Sequence, residues 1–263
     1  MANYYYIVAG LPDISFDDSK AAYSVEQFRT EVFSALSADD RKVMDLLLME
    51  DECRNLIGSE LMEQLIAEVK IGETPRKNVP DFIYTFVQEW MDESWHEKAE
   101  FAVDRLWGLF YEYAMGCSNG FVRRWYEFNL DVNNILTAIT ARKYKLDIHK
   151  VIVGSGDTAQ ALRTSGARDW GLSQELDYFE DVVRLAEESD LSLRERKVDL
   201  LRWRWLEDNS FFNYFTVEQL FLYMVRLGMV ERWTSLDKEK GQQLFRKLIG
   251  DLKEQTEVPA EFK

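Results

Sequence analysis

The distribution of proline constrains the fold of this chain more than any other feature of its sequence. The 263 residues contain four prolines, and none lies between Asp81 and Val258. Average usage would place about 13 prolines in a chain of this length. Because proline removes a backbone donor and clashes with the preceding turn of a helix, this span favours an almost wholly helical chain. We therefore expect an all-α fold, with repeated helical bundles, about ten helices and at most a short N-terminal strand.

Capping residues locate the starts of the first helices. Ser24 and Gln27 have the spacing of a capping box, in which each side chain satisfies a backbone N–H of the first turn. Ser37 is followed by two aspartates, which favour the positive end of a helix dipole. Ser59 precedes a third helical run that ends near Gly72.

Other segments predict a strand at the start of the chain and three helices at its end. The aromatic and β-branched residues of segment 3–10 are typical of a strand. Ser192–Glu195 and Thr216–Gln219 have capping-box spacing, and the second box predicts a helix to about Thr234. A last helix is expected over residues 237–254.

The clearest break in the middle of the chain lies between Ile148 and Asp157. It combines a Val-Ile-Val run with the turn Gly154–Gly156, and it divides the chain into predicted helical bundles at 1–147 and 148–263, packed together. The same glycines match the loose dinucleotide pattern GxGxxG/A. That interpretation needs further parallel strands, and the sequence after the turn predicts none. A turn leading into a helix at Asp157 or Thr158 is therefore favoured.

Charge and missing motifs exclude several classes of function. The chain has 32 Lys and Arg against 47 Asp and Glu, a net charge of −15, which argues against general binding of nucleic acid or of an anionic membrane. It contains no P-loop and no Gly-x-Ser-x-Gly elbow. No segment is long and apolar enough to span a membrane. We expect no nucleic-acid partner, no membrane span and no cofactor.

The sequence also predicts no metal site and no catalytic residue. Glu93 and His96 have the ExxH spacing of di-iron bundles, but the second histidine, His149, is preceded at three residues by Leu146. The two cysteines, Cys53 and Cys117, lie 64 positions apart and are expected to be small core residues. The acidic runs are most simply solvated helix faces, and their spacing singles out no carboxylate pair.

Arginine alternates with aromatic residues in two segments. Arg123, Arg124 and Trp125 form the first, and Arg202, Trp203 and Arg204 form the second. Arginine and tryptophan concentrate at the energetic centres of protein interfaces, so both segments are candidate interfaces. The alternative is that the aromatic rings pack in the core while the arginine stems reach water.

One helix resembles a known family. The segment 128–143 is similar to a helix of the C-type (also called d-type) subunit of V-type and archaeal-type ATP synthases that reads Asp-x-x-Asn-Ile-x-Thr before a basic cluster. Asp131, Asn134 and Thr137 match in register, together with Ile135. The family often has an arginine nine residues after the aspartate. That position is Thr140 here, and the candidate replacements are Arg142 and Lys143, two and three residues further along.

Both ends of the chain extend the resemblance. Segment 213–226, which contains Tyr223, resembles the family's last inter-helix turn and helix, although the apolar residues that follow it depart from the family pattern. With the start at residues 3–12, the chain is most similar to a divergent bacterial branch of that family.

The resemblance implies a non-catalytic coupling subunit. The C-type subunit is a helical, funnel-like body that links the central shaft of the rotor to the membrane proteolipid ring for proton or sodium transport. The implied partners are those ATPase subunits, and the implied location is cytoplasmic and peripheral to the inner membrane. Two alternatives stay open, namely a free-standing helical adaptor and a helical enzyme with a carboxylate-lined pocket. The motif positions Asp131, Asn134, Thr137, Arg142 and Tyr223 have either packing or contact roles.

Overall fold

A computed structural model describes residues 4–21, 23–72, 76, 79–92, 101–211 and 213–255, with side chains described as far as residue 238. Regular structure in these ranges is entirely helical, which confirms the all-α prediction. The twelve α-helices described are α1 Tyr5–Gly10, α2 Val25–Val32, α3 Ala38–Leu56, α4 Glu60–Ile71, α5 Asp81–Met91, α6 Ala102–Met115, α7 Gly120–Tyr144, α8 Ile148–Val151, α9 Asp157–Thr164, α10 Phe179–Ala186, α11 Leu191–Asn209 and α12 Val217–Gln255.

The first capping residues act as predicted. Ser24 and Gln27 form the complete capping box at the start of α2. Ser37 accepts a hydrogen bond from the Asp40 backbone N–H, and Ser59 accepts one from the Met62 backbone N–H. These helix starts are encoded locally, because each cap and its partner lie within one turn.

The predicted N-terminal strand is wrong, because Tyr5–Gly10 form α1. A lone strand leaves its backbone groups unpaired, whereas a helical turn satisfies them within the segment. The described residues contain no second strand that it could join. Residue 3, the first of the predicted strand, lies outside the described ranges.

Two predicted helix boundaries near the end of the chain are also wrong. Helix α11 begins at Leu191 rather than after Ser192, because Asp190 accepts the hydrogen bond from the Leu193 backbone N–H. Helix α12 continues through the predicted break after Thr234, where the sequence contains neither glycine nor proline before Gly241.

The chain forms two compact units, and their boundary differs from the predicted one. The terminal unit comprises residues 1–36 and 214–263, and the middle unit comprises residues 37–213. The predicted division between residues 147 and 148 falls inside the middle unit. The reason is that α7, which precedes that point, packs against α8, α9 and α10, which follow it.

The terminal unit is organised by the packing of α12 against α2. The Tyr223 ring stacks on the fully buried ring of Phe28, with centroids 5.5 Å apart. The Tyr223 hydroxyl donates a hydrogen bond to the Pro12 carbonyl oxygen at 2.9 Å. The Val25 backbone N–H, at the start of α2, donates to the Glu231 carboxylate on α12 at 3.0 Å.

The middle unit is built around α7. Thirteen of the 25 residues of this helix are buried, so several of its faces lie in the core. Helices α6 and α10 make its most extensive contacts. Aromatic rings fill much of the interior; for example, the fully buried Tyr126 meets Phe110 edge to face. Helix α7 therefore positions most of the residues that the sequence singles out.

Candidate functional site

Asn134 joins α7 to the segment that follows α8. Its side-chain amide donates to the Val153 carbonyl oxygen at 2.8 Å and accepts from the Val153 backbone N–H at 3.0 Å. The strand-like residue Val153 thus pairs with a side chain instead of with another strand. Asn134 is buried, so this motif position has a packing role within the middle unit.

Asp131 lies one turn before Asn134 and joins α7 to α9 and α10. Its carboxylate accepts hydrogen bonds from the Tyr178 hydroxyl at 2.9 Å and from the Thr158 side chain. Burial raises the pKa of Asp131, and the nearby charges of Glu127 and Asp157 raise it further, while the two hydrogen bonds act in the opposite direction. Asp131 is therefore a buried anchor for the start of α9.

The glycine-rich turn is held by the same helix. Gly154 has a left-handed φ of 80°, and a Cβ atom there would lie 3.1 Å from the Leu130 side chain. The Arg163 guanidinium donates to the carbonyl oxygens of Ile152 and Gly154 at 2.6 and 2.8 Å. Since the described residues contain no strand, the sheet that a dinucleotide site requires is missing from them, which favours the interpretation as a turn.

Arg142 fastens the last turn of α7 to the loop before α10. Its guanidinium lies 3.8 Å from the centroid of the Trp170 ring and donates to the carbonyl oxygens of Ala167 and Arg168 at 3.2 and 2.6 Å. Trp170 has a φ of 55°, an uncommon conformation for a bulky residue. The stacked guanidinium stabilises that conformation.

Thr137, the remaining motif position on α7, lines an open groove of about 360 Å³. Five lining residues follow one stripe of α7 at helical spacing: Asn133, Leu136, Thr137, Thr140 and Ala141. The other lining residues are Leu146, Val151, Ala186, Arg194 and Glu195. The groove therefore lies between the C-terminal half of α7 and the start of α11.

The first predicted Arg-aromatic interface divides into buried and exposed residues. Trp125 is buried, and its ring centroid lies 5.6 Å from that of Trp205. Arg123 and Arg124 are exposed. Trp125 is thus a core residue of the middle unit, a correction to its prediction as an interface residue, and exposed contact can involve only the two arginines.

The second predicted interface divides in the same way. Trp203 is buried, and its indole N–H donates to the Glu207 carboxylate at 2.9 Å. Arg202 has 18% of its side chain exposed and Arg204 is exposed. Because α11 turns by about 100° per residue, neighbouring residues of one Arg-aromatic run face different surroundings.

Arg202 belongs to a polar network that the sequence did not reveal. Its guanidinium donates to Asn133 at 3.0 Å and forms an ion pair with the buried carboxylate of Asp199 at 3.3 Å. Burial lowers the pKa of Arg202. Asn133 in turn donates to the Tyr111 hydroxyl at 3.1 Å, so the network joins α6, α7 and α11. The spacing of Asp199 and Arg202 by three residues is the one signal in the sequence that points to it.

The remaining candidate groups provide no reactive constellation among the residues that the structure describes. Cys53 is buried, and burial raises the pKa of its thiol to about 12, while Cys117 is half-buried; both are free. Within the described ranges, no group of three or more His, Cys, Asp or Glu side chains is arranged to hold a metal ion. The ExxH spacing at Glu93 and His96 lies outside the described residues.

The same ranges contain no candidate membrane span. None of the helices there combines the length and the apolar character needed to cross a bilayer.

The described fold and site define a class: an all-α protein whose middle unit is organised by side-chain hydrogen bonds from one central helix. The chain belongs to the family described as "Protein of unknown function (DUF2764)", whose model matches residues 1–256. No curated protein and no solved structure matches the chain.

Proposed function

We propose that this protein is a non-catalytic coupling subunit of a V/A-type ATP synthase, which links the central shaft to the membrane proteolipid ring. The observation that carries the proposal concerns the residues on which the family resemblance rests. Asp131 and Asn134 act on the same connection, because Asn134 pairs with Val153 directly before the glycine-rich turn and Asp131 accepts from Thr158 directly after it. A motif with one shared structural task supports the resemblance better than scattered matches do.

The packing of the middle unit suits a mechanical role. Transmission of torque requires a body that does not deform when load is applied to one side. Side-chain hydrogen bonds that join α6, α7 and α11, together with close-packed aromatic rings, resist such deformation. In this role the protein acts through protein contacts on the cytoplasmic face of the membrane complex, during proton or sodium transport.

The enzyme alternative gains no support from the groove. Paired-carboxylate catalysis of the kind used in glycoside hydrolysis requires two such groups at one site. Glu195 is the one carboxylate among the residues that line the groove. The adaptor alternative differs from the coupling role in its partners, so it is distinguished by experiment.

The test is purification of the ATPase from native membranes that contain an affinity-tagged copy of this chain. We expect the catalytic subunits, the shaft and the proteolipid ring to co-purify with the tag. As a control, the same purification is carried out with the tag on one of the catalytic subunits. Recovery of an intact ATPase through the control tag, without this chain, would contradict the proposal.

A further inference from the structure

The end of α7 and the segment that follows it expose apolar side chains beside the groove. Tyr144 and Leu146 are 64% and 54% exposed, although both are large hydrophobic residues. Leu146 also lines the groove, so the exposed apolar surface continues into it. Exposed large apolar side chains next to a groove are candidates for contact with another molecule.

The same segment is basic in a strongly acidic chain. Residues 142–150 contain four basic residues and one acidic residue, a local charge of +3 against −15 for the whole chain. Lys143, Lys145 and Lys150 are exposed, and none of them forms an ion pair with another residue in the part of the chain that the structure describes. Arg142 donates to backbone carbonyls, so its charge is not neutralised by a carboxylate.

The backbone conformation of Lys145 is an independent observation in favour of a binding site here. It ends α7 in the left-handed conformation, with a φ of 58°. Glycine is the usual residue at this position of a helix end, because a side chain there adds a steric cost. A charged side chain thus stands next to Leu146, which lines the groove, despite its conformational cost, as occurs at binding sites.

The opposite side of the groove adds no net charge. Arg194 and Glu195, on α11, have opposite charges and lie next to each other in the sequence. The net positive charge beside the groove thus comes from residues 142–150, at the end of α7 and directly after it. Its volume of about 360 Å³ is near the low end of about 300–1,000 Å³ for ligand pockets. A groove of this volume can hold a few anchoring side chains of a partner but not a large ligand.

We propose that this groove, together with Lys143, Lys145 and Lys150, binds an acidic amphipathic helix of a partner protein. Apolar side chains at helical spacing would enter the groove and contact Leu146, and acidic residues beside them would pair with the lysines. A concave groove favours a protein segment over a membrane, and the charge of −15 repels anionic lipid. The inference goes beyond the coupling role, because it holds whether or not the partner belongs to an ATPase.

The probe is a fluorescent synthetic peptide that is helical, with leucine along one face and glutamate on both flanks. Its matched control replaces every glutamate with lysine. Fluorescence anisotropy with the full chain is expected to show saturable binding of the glutamate peptide, at least about tenfold tighter than that of the lysine peptide. Added salt is expected to weaken the binding.

Two pairs of variants locate the binding site. Leu146→Ser is matched with Val103→Ser, which removes an equally exposed apolar side chain on α6 (53% exposed). Lys150→Glu is matched with Lys70→Glu, since each lysine is exposed in the last turn of a helix. The groove variants are expected to weaken peptide binding about tenfold, and the controls to leave it unchanged. Thermal unfolding checks that each variant is folded, and Lys150→Glu tests the site even if Leu146→Ser does not fold.

Several results would overturn the proposal. These are the absence of saturable binding by the glutamate peptide, equal binding of both peptides, or equal effects of the groove variants and their controls. Binding to vesicles made of equal parts phosphatidylglycerol and phosphatidylcholine that is lost in Lys150→Glu, without binding of the peptide, would assign the segment to a membrane. Self-association that is lost in Leu146→Ser would assign the groove to a second copy of this chain.

Discussion

At the scale of single residues, Asn134 has the clearest task, because one amide satisfies both backbone groups of Val153. No other side-chain type of this size presents a donor and an acceptor in the same plane. The turn at residues 152–156 has no strand partner among the described residues. Its position therefore depends on side chains, with Asn134 holding it to α7 and Arg163 holding it to α9.

Replacement of Asn134 by alanine is expected to lower the free energy of unfolding by about 2–3 kcal/mol. The reason is that the half-buried Val153 N–H and C=O lose their hydrogen-bond partner. Urea denaturation measures the change. The control is Asn55→Ala on α3, where an exposed amide donates to the Asp51 carbonyl oxygen; this variant should stay within about 0.5 kcal/mol. Equal losses in the two variants would refute the role given to Asn134.

Because Asp131 is buried, we expect the stability of the protein to depend on pH. Burial raises its pKa in the folded protein, so the folded state holds the proton more tightly than the unfolded state. The associated stability is present below the ordinary pKa of aspartate and is lost as pH rises through the raised value. Asp131→Asn removes the charge but keeps an oxygen that can accept from Tyr178.

The stability of Asp131→Asn relative to the wild type should therefore increase from acidic to neutral pH. Urea denaturation of both proteins across this range measures the difference, and the subtraction cancels the other titrating groups. A difference that stays constant, or that falls towards neutral pH, would show that the carboxylate is not held in an unfavourable environment.

We expect replacement of Lys145 by glycine to have opposite effects on the stability of the protein and on its binding of the glutamate peptide. Lys145→Gly removes the steric cost of the left-handed conformation and should raise the free energy of unfolding by about 0.5–1 kcal/mol. The same change should weaken binding of the glutamate peptide, since it removes a positive charge next to Leu146, which lines the groove. Denaturation and anisotropy on one preparation measure both effects. A variant that is less stable, or that binds as tightly as the wild type, would argue against this account of Lys145.

At the scale of elements, helix starts that are set by local contacts can be predicted from the sequence, whereas structure that is set by long-range contacts cannot. Ser24, Ser37 and Ser59 start helices because their partners lie within one turn, and the sequence predicts all three. The apolar run at residues 5–10 has no such signal, and the lack of a pairing strand among the described residues decides its structure. The predicted start of α11 is wrong because Asp190 and Ser192 are both good caps, and only the three-dimensional structure shows which of them is used.

The network around Arg202 links three elements of the middle unit and can be tested by mutation. Arg202→Met should lower the free energy of unfolding by about 3 kcal/mol, because the buried carboxylate of Asp199 loses its ion pair. Arg204→Met, two residues along the same helix, is exposed and should change it by less than about 0.5 kcal/mol. Denaturation curves compare the two. An Arg202→Met variant as stable as Arg204→Met would show that the network does not hold α11 to α7.

At the scale of the whole molecule, the candidate site is predictable only in part. A family pattern marks Asp131, Asn134 and Thr137, and all three lie on the helix around which the middle unit packs. The burial of Trp125 and Trp203 is not predictable from an Arg-aromatic run, since that pattern is common to cores and to interfaces. The groove could not be predicted from the sequence, because its lining residues come from four separate parts of the chain.

The division of the chain into these two units could not be predicted from the sequence either. The terminal unit is discontinuous and joins residues 1–36 to 214–263, through contacts such as that of Tyr223 with Pro12. A turn is visible in a sequence, whereas pairing between the two ends of a chain is not. For this reason the sequence predicts a boundary at the glycine-rich turn, although this turn lies inside the middle unit.

The central proposal is that the protein links the shaft of an ATPase to its proteolipid ring, and it is tested most directly on inverted membrane vesicles from cells with and without this chain. ATP hydrolysis and ATP-driven ion uptake are measured on the same vesicles, with the gene restored on a plasmid as the control. The account predicts that loss of the chain abolishes ion uptake while the catalytic head still hydrolyses ATP, and that the plasmid restores uptake. Ion uptake that stays in proportion to hydrolysis without the chain would contradict it.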